Sequence, residues 1–350
     1  MLASFWSGLG GELAKQWAAR ILTPALAFWF GGFAAVWWHA HGDAVRTHGW
    51  ALELERTARP LEQLPAVAQG LLVVGALMLI AASALVAERL TLPLLRLLEG
   101  YWPWRLRGRR QSRRRKRRAQ YKERRDELSL LERRGGLDVR EYAELRRLEA
   151  SSSADPTRLA ELRHKRAAGF SARDAAELGR ARAVLRYSPE NDALGMPTRL
   201  GDILRASERR PRDKYGLDTV ASWTALWLVM PANAQTEIAQ SRARLDAGLR
   251  MWMWGGLFIA WTPWTLWAVP IAVVVPALAY YGGMLGAARL FGDLVVTAYD
   301  LYRMELYDSL HLPRPASPAD ERRHGSQVTN LLWAGLDGQS VKYVSEPASG

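Results

Sequence analysis

Long apolar runs constrain this chain more than any other feature. Residues 66–87 read AVAQGLLVVGALMLIAASALVA without a charge, and residues 251–288 contain no ionisable side chain except tyrosine. A helix crossing the hydrocarbon core of a bilayer needs roughly 20 apolar residues. Buried core helices of soluble proteins rarely need runs this long. The interval 251–288 is therefore expected to hold two spans, with Thr262-Pro263-Trp264-Thr265 as the turn between them. A further apolar segment, 21–38, follows Lys15 and Arg20 and ends at Trp37-Trp38-His39-Ala40-His41. No small-residue cleavage site marks its end, so it reads as a retained span rather than a removed signal peptide. Pro24 would sit in its first turn, where a missing N–H costs least. The expectation is an all-α, four-span transmembrane helical bundle with a cytosolic helical-hairpin domain.

Charge orients the spans. Residues 105–118 carry ten cations in fourteen positions: Arg105, Arg107, Arg109, Arg110, Arg113, Arg114, Arg115, Lys116, Arg117 and Arg118. Residues 89–250 hold 37 Lys and Arg against 21 Asp and Glu, whereas residues 40–66 hold three Arg against four acidic residues. Short Lys/Arg-rich segments flanking spans stay cytoplasmic. Both termini and the middle of the chain are then cytoplasmic, with 39–66 and the 262–270 turn outside. Four of the sixteen Trp, namely Trp37, Trp38, Trp264 and Trp267, fall at the outer interface this implies, where amphipathic rings settle. Trp102 and Trp104 fit the inner one.

The chain divides into five parts. Residues 1–104 form an N-terminal membrane part, with spans at about 21–38 and 66–87 and an interfacial helix at 91–100. Its Leu94, Leu95, Leu97 and Leu98 make an apolar stripe that Gly100 and Pro103 should end. Residues 105–186 hold the polybasic segment and charged helical hairpins. There LDVREYAEL (137–145) echoes FSARDAAEL (170–178), each copy following glycine. Each copy opens on a capping-box pattern, Asp138-x-x-Glu141 and Ser171-x-x-Asp174, the second with the weaker partner. Residues 187–250 are junction helices. The apolar run 219–230 is too short to span, is entered through Asp218 and is stopped by Pro231. It should pack on the membrane part or lie in the interface, with Trp223 and Trp227 on one face. Residues 251–312 are the C-terminal membrane part, whose extension should use Leu290, Leu294, Leu301, Tyr302 and Leu306 as its apolar face. Residues 313–350 read as mostly disordered, apart from a turn of helix at 329–333.

Several constellations carry possible chemistry. The polybasic run reads as an anionic-lipid contact, at about 1 kcal/mol per cation near the surface. It lacks the interleaved aromatics of a nucleic-acid site, so a nucleic-acid partner is not expected. His39, His41 and His48, with Asp43, have a spacing that can ligate a metal, but such a pattern arises often by chance and no metal is assigned. Gly31 and Ala35, and the series Ala279, Gly282, Gly283, Gly286 and Ala287, have helix-packing spacing. They serve either the bundle itself or a homo-oligomer. No charged residue interrupts the four spans, which argues against an ion-coupled pump. The chain has no cysteine, which excludes disulfides and thiolate metal sites. No nucleophile elbow, phosphate-binding glycine loop or zinc-protease motif is present, so no enzyme activity and no cofactor are expected.

Two blocks, LLRLLEGYWP (94–103) and PTRLGDILRASE (197–208) with YGLDTVASWTALWLVMP (215–231), resemble segments of uncharacterised multi-pass membrane proteins common in actinobacteria. The resemblance implies a bacterial plasma-membrane location and no activity. Thr198, Arg199, Asp202, Arg205 and Tyr215 within these blocks are expected to form a hydrogen-bonded junction between cytosolic and membrane parts. The leading expectation is a non-enzymatic, membrane-anchored interaction or assembly component. Its basic face would lie on an anionic inner leaflet, and its cytosolic hairpins would offer a site to a partner protein. The alternatives are an oligomeric pore-forming or membrane-perturbing effector, of the kind used in bacterial defence, and an interfacial lipid enzyme without motif support.

Overall fold

The computed structural model describes residues 2–151 and 155–334, with side chains over 24–103, 108, 110–151 and 155–333. It is 85% helix with no strand among the described residues. In chain order the helices are α1 (Leu2–His48), α2 (Trp50–Glu62), α3 (Ala66–Glu99), α4 (Trp104–Arg133), α5 (Val139–Ala150), α6 (Pro156–Ala168) and α7 (Ala172–Arg186). There follow α8 (Arg199–Tyr215), α9 (Thr219–Val229), α10 (Ala232–Leu257), α11 (Ala268–Leu278), α12 (Leu285–Ser309) and α13 (Pro318–Ala334). Two compact units result, one of Met1–Leu97 with Gln235–Phe291, the other of Leu98–Ala234 with Gly292–Gly350.

In the first unit, small residues let helices approach closely. Ala25 of α1 and Ala84 and Ala87 of α3 are buried with Met253 and Trp254 of α10. Aromatic rings fill the remaining space, with Phe28 5.0 Å from Trp254 and 5.6 Å from Trp261. The indole N–H of Trp29 donates to Ser83 Oγ at 3.1 Å. The indole of Trp261 lies over Gly32, where a Cβ would come within 1.9 Å of it. Beyond Gly49, α2 packs on α1 and Trp37 donates to Thr57 Oγ1 at 3.2 Å. Glu53 is buried there and held by Arg56 at 2.7 Å.

The second unit has a buried aliphatic core. Leu128 of α4 and Leu178 of α7 are buried. Arg124 clamps Glu177 with both Nε and Nη2, at 2.8 and 3.1 Å. Leu137, Leu145 and Leu162 form the α5–α6 core. The sequence echo is structural, since Leu145 and Leu178 occupy equivalent places in the two copies and both are buried. The Asp138–Glu141 capping box is complete. In the second copy Ser171 Oγ accepts from Asp174 N at 3.1 Å but donates to the Asp174 carboxylate at 2.8 Å. The two turns before the copies touch: Gly136 has φ 81°, and a Cβ there would sit 2.5 Å from the Gly169 carbonyl oxygen.

Several expectations change. Two helices, Ala66–Glu99 and the run Ala268–Ser309, are long and apolar enough to cross a membrane. The interval 251–288 does not divide equally. Its turn leaves residues 251–261 on one side and 268–288 on the other, and the shorter leg is about half of the roughly 20 residues a crossing needs. The stripe at 91–100 is the last part of α3, which continues through Pro93 and ends at Glu99 before Gly100, the stop the sequence indicated. Pro24 lies inside α1 rather than at its start. The segment 39–66 is helical, not an open loop. Asp218 caps α9 through Val220 N at 3.0 Å, as expected. Trp223 and Trp227 do share a face, with rings 5.7 Å apart, and α9 packs on α8 and α13 inside the second unit. The face of α12 matches the expected one only in part: Leu306 is buried as expected, but Val295, Tyr299 and Tyr307 are buried with it while Leu290 and Leu301 are exposed. Buried tyrosine wins because Ser222 Oγ and Tyr299 OH share a hydrogen bond at 3.0 Å. The supposed disordered tail contains α13, whose Glu321 is buried against Arg303 at 2.5 Å. Residues 335–350 lie outside the described residues.

Candidate membrane-facing and basic surfaces

Apolar residues in the first unit point outward. Along α3 only 11% of its most apolar window is buried, and residues 71–79 are exposed all round the helix. Val67 is 75% exposed, Leu71 68% and Met78 68%. A helix hydrophobic on every side needs an apolar environment on every side. The run 268–309 is similar, with 28% of its window buried and Leu266 and Trp267 exposed at its start. Most of the large exposed apolar side chains among the described residues belong to this unit, and contiguous patches of that kind mark an interaction surface.

Small residues expected to mediate packing separate into two groups. Gly31 is in contact with Phe258, where a Cβ would lie 3.0 Å from its ring, and Ala279 is buried. Gly282, Gly283 and Gly286 have nothing within 4 Å of a Cβ. Ala35 is half-buried, as is Ala287. A π-helical turn, Ala279–Met284, carries the first two of these open glycines.

The histidines are separated rather than gathered. His39 and His41 are on continuous helix, where two residues subtend about 200°. His41 Nδ1 lies 3.1 Å from the Trp37 carbonyl oxygen and its ring stacks on Trp37. His48 Nδ1 is 3.9 Å from Glu53. Among the described residues no three His, Cys, Asp or Glu side chains form a metal-sized group.

In the second unit, α4 presents its cations on two faces. Gln111, Arg114, Arg115, Arg118 and Lys122 turn inward at helical spacing. Gln111 Nε2 donates to Gly195 O at 2.6 Å and Arg115 Nη2 to Ala193 O at 3.3 Å. Lys122 Nζ donates to Glu190 O at 2.9 Å. Arg114 reaches Asp202 Oδ2 through Nε at 3.0 Å and Nη2 at 2.5 Å. Arg118 Nη1 reaches Oδ1 at 3.3 Å, and Met196 N donates to the same oxygen at 2.8 Å. Arg118 is 3% exposed and Asp202 1%, so Arg118 cannot also touch a membrane surface. Arg110, Arg113, Lys116 and Arg117 are exposed, with Arg110 5.0 Å over the Trp102 ring. The side chains of Arg105, Arg107 and Arg109 lie outside the described residues.

The five expected junction residues divide as well. Thr198 caps α8 through Gly201 N at 3.0 Å and donates to Glu99 O at 2.8 Å. Tyr215 OH donates to the Asp300 carboxylate. Arg205 pairs with Glu208 at 3.0 Å, and Arg199 is exposed. Sequence reasoning missed that Arg205, Arg209 and Arg212, spaced i, i+4 and i+7, share one side of α8 and line a cleft of about 410 Å³. That spacing was itself the available signal.

On the hairpins the carboxylates are held in ionised form. Arg158 donates to Glu144 at 3.0 Å and Lys165 to Glu141. Those bonds, and that of Arg124 to Glu177, hold all three carboxyls below the usual range. No family model, curated protein or solved structure matches the chain.

Proposed function

We propose that this is a multi-pass bacterial plasma-membrane protein that acts, without catalysis, as a membrane-anchored interaction component. The first unit is the bilayer part, and the second is cytoplasmic with its basic helix facing anionic lipid. The observation that carries this is the contrast between the units: one has a conventional buried core, the other leaves the apolar stretch 71–79 of α3 uncovered on all sides. Unpartnered in water, the large side chains of α3 would each cost about 1.5–3 kcal/mol.

A four-crossing topology needs the short leg before the 262–267 turn to be completed by α10. A Cβ at Gly248 would lie 2.7 Å from Met284, and one at Gly255 2.6 Å from Val275. This antiparallel register sets residues 243–261 beside 268–288. Arg244, Asp246 and Arg250 then enter the layer, with Arg250 the deepest at about 10 Å from its end, given 1.5 Å per residue. That depth is within reach of a snorkelling arginine, and it revises the expectation of charge-free spans. Both termini are cytoplasmic in this reading, as in the charge-based topology.

Because the natural chain has no cysteine, single cysteines report topology cleanly. In intact cells Ala58→Cys should react with a membrane-impermeant maleimide, and Lys116→Cys only after permeabilisation. Reversed labelling, or release of the protein by alkaline carbonate, would refute the reading. The second reading is an oligomeric pore, favoured by the open space at Gly282, Gly283 and Gly286. Its test is mass in nanodiscs: an oligomer dispersed by Gly282→Leu supports it, and a monomer removes it.

A further inference from the structure

A cleft of the second unit lies where α8, the start of α9 and α13 meet. It is lined by Arg205, Arg209 and Arg212 from α8, with Asn330 and Trp333 from α13. Its volume of about 410 Å³ is within the range of small-molecule sites, about 300–1,000 Å³. The backbone shapes it. Gly216 has φ 77°, and a Cβ there would come within 2.1 Å of Arg322 O, so α13 can approach α8 only across glycine. Thr329 then fastens the wall, accepting from Asp218 N at 2.9 Å and donating to Gly216 O at 3.0 Å.

Electrostatics single out one side chain. Glu208 is held by Arg205 at 3.0 Å and Asp218 by Arg212 at 3.0 Å. Both acidic groups lining the cleft are therefore neutralised by neighbours. Arg209 has no ion pair or hydrogen bond among the described residues, and its Nε is fully buried without a partner. An unpaired guanidinium facing a cleft carries a cost that an anionic ligand would remove. Arg205 Nε is likewise buried and unpaired. Asn330 adds an exposed amide with no partner among the described residues, and Trp333 is 70% exposed.

We propose that this cleft binds a small phosphate monoester, with Arg209 as the principal phosphate contact and Trp333 against the body of the ligand. The donors arrive from two helices. A carboxylate has two oxygens in one plane and is fully served by a single guanidinium fork. A phosphate offers acceptor oxygens on more than one side, which matches Arg209 and Arg205 on one wall and Asn330 on the other. The chemistry is shared by a nucleotide and by the phosphate head of a lipid precursor, and the two are separable by experiment.

The test is calorimetric titration of the full chain in detergent with glycerol 3-phosphate, AMP, inorganic phosphate and, as the carboxylate control, benzoate. At least one phosphate compound should bind ten-fold or more tightly than benzoate. Arg209→Gln should weaken that binding at least ten-fold, while Arg173→Gln, an equal charge loss at an exposed site on α7, should change it less than two-fold. Since Arg209 has no ion pair or hydrogen bond among the described residues, its replacement should leave the melting temperature unchanged. Arg209→Lys, which keeps the charge and loses the fork, should bind with intermediate strength and serves if the glutamine variant misfolds. Preference for AMP that vanishes in Trp333→Ala assigns a nucleotide; equal or tighter binding of glycerol 3-phosphate assigns a lipid-type headgroup. No binding by any phosphate compound, equal binding of benzoate, or equal losses in Arg209→Gln and Arg173→Gln would overturn the proposal.

Discussion

Replacing Asp202 tests whether part of the polybasic helix is structural. The carboxylate is 1% exposed and accepts four hydrogen bonds, two from Arg114, one from Arg118 and one from Met196 N. In Asp202→Ala the Arg118 guanidinium, itself 3% exposed with Nε and Nη2 already unpartnered, would keep a buried charge with no counter-ion. Removing one member of a buried pair costs about 3–5 kcal/mol. For a unit of this size that lowers the melting temperature by on the order of 10 °C. Melting of the detergent-solubilised chain, with hydrogen exchange followed on α4, reads both the loss and its location. The comparison is Glu177→Gln, which breaks the Arg124 clamp where both side chains are 40% exposed. Exposed pairs contribute about 0–1 kcal/mol, so that variant should melt within a few degrees of the parent. Partial recovery in Asp202→Leu/Arg118→Met would show that the stranded charge, rather than lost volume, causes the damage. Equal melting of Asp202→Ala and the parent would refute the buried junction.

The hairpins should weaken in acid. Asp138, Glu141, Glu144 and Glu177 have depressed pKa values from backbone, Lys165 and Arg hydrogen bonds. Their contribution is thus fully present above the ordinary carboxylate range of about 4 and lost as pH falls below it. Hydrogen exchange of α5 and α6 between pH 6 and pH 3, corrected for intrinsic rates, checks this, and unchanged protection would count against it. Gly136→Ala forces a side chain onto φ 81° and against the Gly169 carbonyl; a loss of about 1–3 kcal/mol is expected, read by the same melts. Replacing Arg110, Arg113, Lys116 and Arg117 together with Gln should remove about 4 kcal/mol of attraction to an anionic leaflet, at about 1 kcal/mol per cation. Fewer anionic lipids should then co-purify by mass in mild detergent, and an unchanged lipid count would end the lipid assignment.

Local chemistry was the most legible part of this sequence. Asp138, Ser171 and Asp218 each cap the helix their position implies, because a cap is decided by two or three neighbouring residues. The 33-residue echo also survives, with Leu145 and Leu178 buried at matching places. Lengths of apolar segments were harder, since periodicity says where a helix is apolar but not where it stops. Pro24 fell well inside its helix rather than in the first turn, and the turn at 262–267 fell off-centre in its apolar interval. The buried face of α12 depends on Ser222, which lies 77 positions away and answers Tyr299; a single helix read alone favours leucine. The cleft was missed for the same reason. Arg205, Arg209 and Arg212 share a helix side, but only α13, read as disordered, encloses them.

The polybasic segment shows how far a uniform run can mislead. Hydrophobic contrast is what fixes the rotation of a helix, and ten cations in fourteen residues provide almost none. The rotation of α4 is set instead by what accepts hydrogen bonds opposite it: the Asp202 carboxylate and the carbonyls of Glu190, Ala193 and Gly195. Those acceptors lie in 190–202, outside the run, so the inward set could not be separated from the outward set within it. The separation has an energetic consequence. A buried guanidinium contributes through its single counter-ion and is little affected by salt, whereas exposed cations act through a surface potential that a Debye length of about 8 Å screens at physiological ionic strength. Raising salt should therefore weaken the proposed lipid contact of Arg113, Lys116 and Arg117 while leaving the Arg114–Asp202–Arg118 junction intact. On the proposed reading, one run of basic residues holds a structural and a lipid-facing role that ionic strength separates.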